Sequence, residues 1–140
     1  MDGVPWDAMK VNDRIARLNA WFQDARTAFS RDDSLTYEAQ TRYIYGRLRE
    51  TWERAVEEVL LNGVVIRYDR AIHTLSLNKL SDITPDDIQK VDEGMTKSSR
   101  FLVGHDQAQA ISEPVPQPEE LSQDIDNLKI WAKEIRKRRR

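Results

Sequence analysis

At 140 residues, 39% hydrophobic and 33% charged, the chain is long enough to bury one core, and with only five Gly and five Pro it does not read as disordered. It has no Cys, which excludes disulfides and thiolate metal sites. The net charge of −2 conceals an asymmetry: from Lys129 onward seven basic residues meet Glu134 alone, whereas residues 1–128 carry 15 basic against 23 acidic.

Between about Asn12 and Ser30, Ile15, Leu18, Trp21 or Phe22, Ala25 and Phe29 recur at three- and four-residue spacings, the period of a helix with one apolar face. Asn12 is a candidate N-cap, and the polar run Ser30 to Ser34 breaks the pattern before the next helix. That second helix, about Ser34 to Leu61, is the clearest element, with a seam of Tyr45, Leu48, Trp52, Ala55 and Val59 widened by Val56 and Leu60. Gly46 inside it costs ~1 kcal/mol relative to Ala and suggests a close helix approach. Asn62-Gly63 is a stop signal.

Residues 64–73 are apolar enough for either a short helix or a strand, with helix preferred because Ile66, Arg70 and His73 do not alternate cleanly with apolar neighbours, and 74–82 carry only a weak signal, a loop or short helix. Thr84-Pro85-Asp86-Asp87 starts a helix strongly, with Thr as cap, Pro at the first position and acids in the first turn. It should continue to 101–103, where Gly104 can end it. Pro114 and Pro116 mark a loop over 105–117. Pro118 then opens a basic last helix through Leu121, Ile125, Leu128, Ile130 or Trp131, and Ile135.

The expectation is therefore all-α: a compact bundle of about five helices around one long central helix, in one domain over 1–140 with its core at about 5–104. No apolar run approaches the ~20 residues of a membrane span, and the first five residues lack the regions of a signal peptide, so a soluble cytoplasmic protein is expected.

Phosphate loops, His-Glu-x-x-His, calcium loops and Cys-His fingers are missing from the sequence. The acid pairs Asp86-Asp87 and Asp92-Glu93 suit a helix start better than a metal, and His73 suits a structural or solvent-facing role. Arg100 and His105 differ. If the helix ends at Gly104, His105 can swing back over the last turn toward Arg100. Imidazole beside guanidinium is a workable pair for phosphodiester cleavage, one moving protons and the other stabilising phosphoryl charge. The other reading is a helix-end Arg with a capping His.

Arg100-x4-His105 at the end of a helix in an all-helical domain resembles the motif of the HEPN ribonucleases. The stretch from Tyr45 to Leu60, together with Gly94 to Arg100 and Gly104-His105-Asp106, is similar to the C-terminal region of bacterial ABC/SMC-like ATPases, some of them akin to phage-defence anticodon nucleases. Phe101 stands where a polar residue is common after the motif Arg. The resemblance implies a HEPN-like fold, often dimeric, that cuts RNA such as tRNA without a metal by way of the RNA's own 2′-hydroxyl. It implies His105 as general acid/base, Arg100 as phosphate clamp, and Arg49 with Glu53 as a supporting pair. It implies no cofactor in the chain, ATP acting only through an ATPase domain in cis or in trans.

The basic residues Lys133, Arg136, Lys137, Arg138, Arg139 and Arg140 would add sequence-independent affinity for RNA. The alternative is a non-catalytic helical module that docks on or dimerises such an ATPase, with the Tyr45 to Val59 seam or the last helix as its contact.

Overall fold

The computed structural model describes residues 4–66, 71–102 and 113–140. These are all-helical, without strands: α1 Val11–Ser30, α2 Ser34–Ala55, α3 Pro85–Arg100 and α4 Pro118–Arg138, with short 3-10 helices at Trp6–Ala8 and Thr74–Leu80. They pack as a compact bundle around α2.

Contacts along α2 fix the directions of its neighbours. Trp21 meets Tyr43 and Phe29 meets Tyr37, so α1 runs antiparallel to it. Arg49 reaches Ser99 while Trp52 lies against Gly94, so α3 is antiparallel too. The Tyr37 hydroxyl donates to the Pro116 carbonyl, Tyr45 to Asp124, and Trp52 meets Trp131, so α4 runs parallel to α2. The seam Tyr45, Leu48, Trp52, Ala55 and Val59 is buried throughout.

The ends of the elements show which local signals hold and which are overridden. Thr84 forms the expected capping box, its hydroxyl accepting from the Asp87 amide while the Asp87 carboxylate accepts from the Thr84 amide. The cap of α2 is Asp33, which accepts from the Thr36 amide at 3.2 Å. α1 begins at Val11 rather than at an Asn12 cap, and a distant carboxylate serves it: Glu58 Oε1 accepts from the Val11 amide at 3.0 Å. An anion at a helix N-terminus satisfies an orphan donor and complements the dipole. Glu58 also accepts from Arg54 Nε and Arg136 Nη2. Glu58→Ala orphans all three donors and should lower stability by about 2 kcal/mol, read by urea unfolding.

After Ala55 the second helix widens into a π turn, Val56–Leu60, closed by the Leu61 amide donating to the Val56 carbonyl at 2.8 Å. The Val59 and Leu60 carbonyls are taken by Arg139. Asn62 and Gly63 then turn the chain in left-handed conformations, φ 46° and 86°. Among the described residues of 64–73, the expected short helix is absent. Val64 and Val65 bend, Ile66 is irregular and the His73 amide donates to the Val64 carbonyl, while 67–70 lie outside the described residues. Val64 is buried but Val65, Ile66 and Ile72 are exposed, so one residue rather than a helical face of the described part is anchored.

Candidate functional site

The sequence directs attention to the C-terminal end of α3. That helix ends at Arg100, one to three residues before its expected stop, because Phe101 turns inward. Its ring is buried against Tyr45 at 4.7 Å, which accounts for an apolar residue after the motif Arg. Its carbonyl accepts from Arg42 Nη1 at 3.1 Å, and Nη2 of the same guanidinium donates to the Glu113 carbonyl at 2.7 Å. One buried side chain from α2 thus holds the chain on both sides of residues 103–112. His105 lies outside the described residues.

Arg49 crosses from α2 to the last turn of α3, its Nε donating to Ser99 Oγ at 2.9 Å. Arg100 follows directly. Among the described residues its ionic partner is Glu113 at 4.0 Å, with both side chains about half exposed at 46% and 57%, a pair worth little in water. Arg42, Arg49 and Arg100 therefore each reach this helix end, Arg42 held by two backbone carbonyls and Glu38, Arg49 by Ser99, and Arg100 half exposed. They also complement the negative pole of α3. One turn further back Lys97 bridges Glu120 and Asp124; burial lowers its affinity for the proton, but the two carboxylates outweigh burial and leave its pKa raised. Burial first, then the hydrogen bond to Asp124, pushes the Tyr45 phenol up, so that it remains a donor.

Glu53 is not drawn into this group. It lines a separate cavity of about 560 Å³ with Asp7, Arg14, Glu50, Arg54 and Glu57. Arg49 and Glu53 share a face of α2, yet the nearer hydrogen-bonding group for Arg49 belongs to α3.

The basic end of α4 divides in two. Arg138 holds Asp87 through both carboxylate oxygens at 2.8 and 2.9 Å, Arg139 grips Asp82 and the Val59 and Leu60 carbonyls, and Arg136 binds Glu58 and Asn12. These three staple the end of the bundle. Lys133, Lys137 and Arg140 are exposed. Arg138 is the foremost cause that holds the Asp87 carboxyl down at about 2, and Arg139 likewise lowers Asp82.

Sequence reasoning misses Arg42, which looks like one more scattered basic residue. Its signal is positional: three residues before Tyr45, it sits beside the core seam, where an Arg must find partners. Among the described residues there is no group of three or more potential ligands placed to hold a metal, and no helix long and apolar enough to cross a membrane. Comparison with family models, with curated proteins and with solved structures finds no match to this chain.

Proposed function

We propose that the chain is an endoribonuclease domain whose reactive centre lies at the C-terminal end of α3, acting on a structured RNA such as tRNA. The observation that supports this reading is the crossing of Arg49 to Ser99, which brings a second guanidinium to the last turn of α3, the turn that carries Arg100. In the proposed reaction His105 takes the proton of the RNA's 2′-hydroxyl as that oxygen bonds to phosphorus. The phosphorus–O5′ bond breaks, the leaving oxygen takes a proton from solvent, and a 2′,3′-cyclic phosphate remains. Arg100 and Arg49 hold the charge that builds on the non-bridging oxygens. A HEPN-like homodimer served by an ABC/SMC-like ATPase in a phage-defence setting belongs to the same proposal.

The test is cleavage of total tRNA with end-group analysis. Wild type should yield cyclic phosphate ends, and His105→Ala should lose at least about 100-fold in rate. Arg100→Lys should not restore what Arg100→Ala loses, because a lysine cannot grip phosphate in bidentate fashion. Equal cleavage by wild type and His105→Ala would sink the proposal. The stapling of Arg136, Arg138 and Arg139 sets a further expectation. With three tail cations outside the ion pairs to Glu58, Asp87 and Asp82, rather than six, its share of the slope of log affinity against log salt should be about −2, not about −4.

The same stapling supports a second reading, a helical module that docks on an ATPase without cutting RNA. Its mark would be wild-type protein that binds such an ATPase and leaves tRNA intact.

A further inference from the structure

Away from the end of α3, the Trp6–Ala8 segment, α1 and α2 together carry a strip of alternating aromatic and guanidinium groups. Trp6, Trp21 and Tyr43 follow one another with centroids 5.5 and 5.2 Å apart. Arg14 and Arg47 lie over Trp6 at 4.6 and 5.2 Å, Arg47 lies over Tyr43 at 5.2 Å, and Arg17 over Trp21 at 5.8 Å. The two ends of the strip differ. At Trp6 the polar groups are engaged: the indole N–H donates to Glu50, and the buried Arg14 donates to the carbonyls of Met9, Glu50 and Asp7. That end fastens the N-terminal segment to the bundle.

At the other end the strip opens into a cavity of about 220 Å³. Trp21 and Tyr43 wall it at 78° to one another, and Ile44 and Ala39 supply its apolar lining. Tyr43 is 49% exposed, so its ring is within reach of a ligand. Gln40 lines the same cavity, and its carbonyl oxygen is enclosed and accepts no hydrogen bond from the described residues. The Asp24 carboxylate stands at the rim.

We propose that this cavity between α1 and α2 takes one unstacked base of a single-stranded nucleic acid. The volume falls below the roughly 300 Å³ at which pockets for drug-sized ligands begin, and suits a single planar ring system. Two rings set near a right angle give such a plane one face to stack on and one edge to abut. Arg17 and Arg47 already occupy ring faces, which disfavours a cationic guest, and Asp24 disfavours an anionic one. A neutral base meets neither obstacle. Asp24 is an acceptor and the Gln40 amide both accepts and donates, so guanine, with its ring N–H and exocyclic amine beside a carbonyl oxygen, matches them best. Rotation of the Gln40 amide about its last torsion is a soft motion that brings the oxygen to the ligand. Arg17, over the Trp21 ring that walls the cavity, suits a neighbouring phosphate, whereas Arg47 is held by Glu50 at 3.0 Å. This site is distinct from the end of α3, and it stands whether or not His105 cleaves RNA.

The test uses the full chain carrying His105→Ala, so that cleavage cannot interfere, and follows tryptophan fluorescence at fixed salt. The probes are the RNA hexamers UUGUUU and UUUUUU, guanosine monophosphate, and heparin. The expected result is saturable quenching, about tenfold tighter for the hexamer with guanine. Tyr43→Ala and Gln40→Ala should each weaken it by about tenfold, while Tyr43→Phe, which keeps the ring but drops the hydroxyl that accepts from Arg47, should bind as the parent does. Unchanged circular dichroism in these variants would exclude misfolding as the cause. Unaltered affinity in Tyr43→Ala and Gln40→Ala, or equal quenching by heparin, overturns the pocket. Guanosine monophosphate binding as tightly as the hexamer overturns the strand as its occupant.

Discussion

Gly94→Ala should lose about 2 kcal/mol of stability in urea unfolding, whereas Gly46→Ala should be neutral or gain up to about 1 kcal/mol. Both glycines sit inside helices, where alanine is intrinsically favoured by about 1 kcal/mol. Their surroundings decide the sign. A Cβ at Gly46 would meet one atom, Leu102 Cδ2 at 3.1 Å, the end of a side chain that can rotate aside. A Cβ at Gly94 would lie 2.3 to 2.6 Å from three atoms of the Trp52 indole. That ring is 2% exposed and packed edge-on against Trp131 at 5.4 Å, so although both rings border a cavity of about 290 Å³, Trp52 can move only by giving up that contact. Overpacking of this kind costs typically about 1–3 kcal/mol, and the depth of the overlap places it at the upper end, beyond the propensity gain.

The indole N–H of Trp52 has no hydrogen-bond partner among the described residues, so Trp52→Phe removes bulk without breaking a bond. Gly94→Ala combined with Trp52→Phe should therefore be less destabilised than the two single effects added together. Strict additivity, or a Gly94→Ala protein as stable as wild type, would show that α2 and α3 do not meet in this way.

The contrast between the two glycines shows what the sequence makes legible. Gly46 stands out as an interruption of an apolar seam, yet the tighter approach is at Gly94, in a helix whose period says nothing about its neighbour. Where two apolar residues adjoin, period alone cannot choose. Phe22 enters the core while Trp21 is recruited by Trp6 and Tyr43, and Trp131 enters while Ile130 is left exposed because its indole N–H reaches the Asp87 carbonyl at 3.1 Å.

Caps written within four residues, such as Thr84 with Asp87, are readable because the physics is local. The cap of α1 is not, since Glu58 lies 47 residues from Val11. The site divides in the same way. Arg49 and Arg100 can be selected from spacing, but their meeting depends on the register of α2 against α3, and Arg42 becomes visible only once its carbonyl partners are in place. The basic tail is legible as charge alone, its carboxylates being 51 to 78 residues away.

Those carboxylates set the second large effect. Asp87→Ala should cost about 2–3 kcal/mol near neutral pH, and that difference should shrink as the pH falls toward 2. Two contributions combine. Loss of the capping box costs about 1 kcal/mol. Loss of the bidentate contact with Arg138 costs on the order of 1–2 kcal/mol, given that the Asp87 side chain is 6% exposed and its partner 35%. The sign follows from the direction of the shift. The Asp87 carboxyl titrates at about 2 when folded, below its ordinary value of 3.8, so its stabilisation is fully present above about pH 4 and is lost as the pH falls through about 2. Asp82, lowered by Arg139, loses its contribution in the same direction.

Asp87→Asn separates the two parts, because an amide oxygen can still accept from the Thr84 amide while the charge is gone. Its penalty relative to wild type should keep most of the pH dependence, because the titrating carboxyl is gone, and be smaller at pH 7 than that of Asp87→Ala. A penalty for Asp87→Ala that stays constant between pH 7 and pH 2.5 would mean that Arg138 contributes nothing to folding. Arg138 would then be as available to phosphate as Lys133, Lys137 and Arg140, and the tail's share of the salt dependence of RNA binding should steepen accordingly.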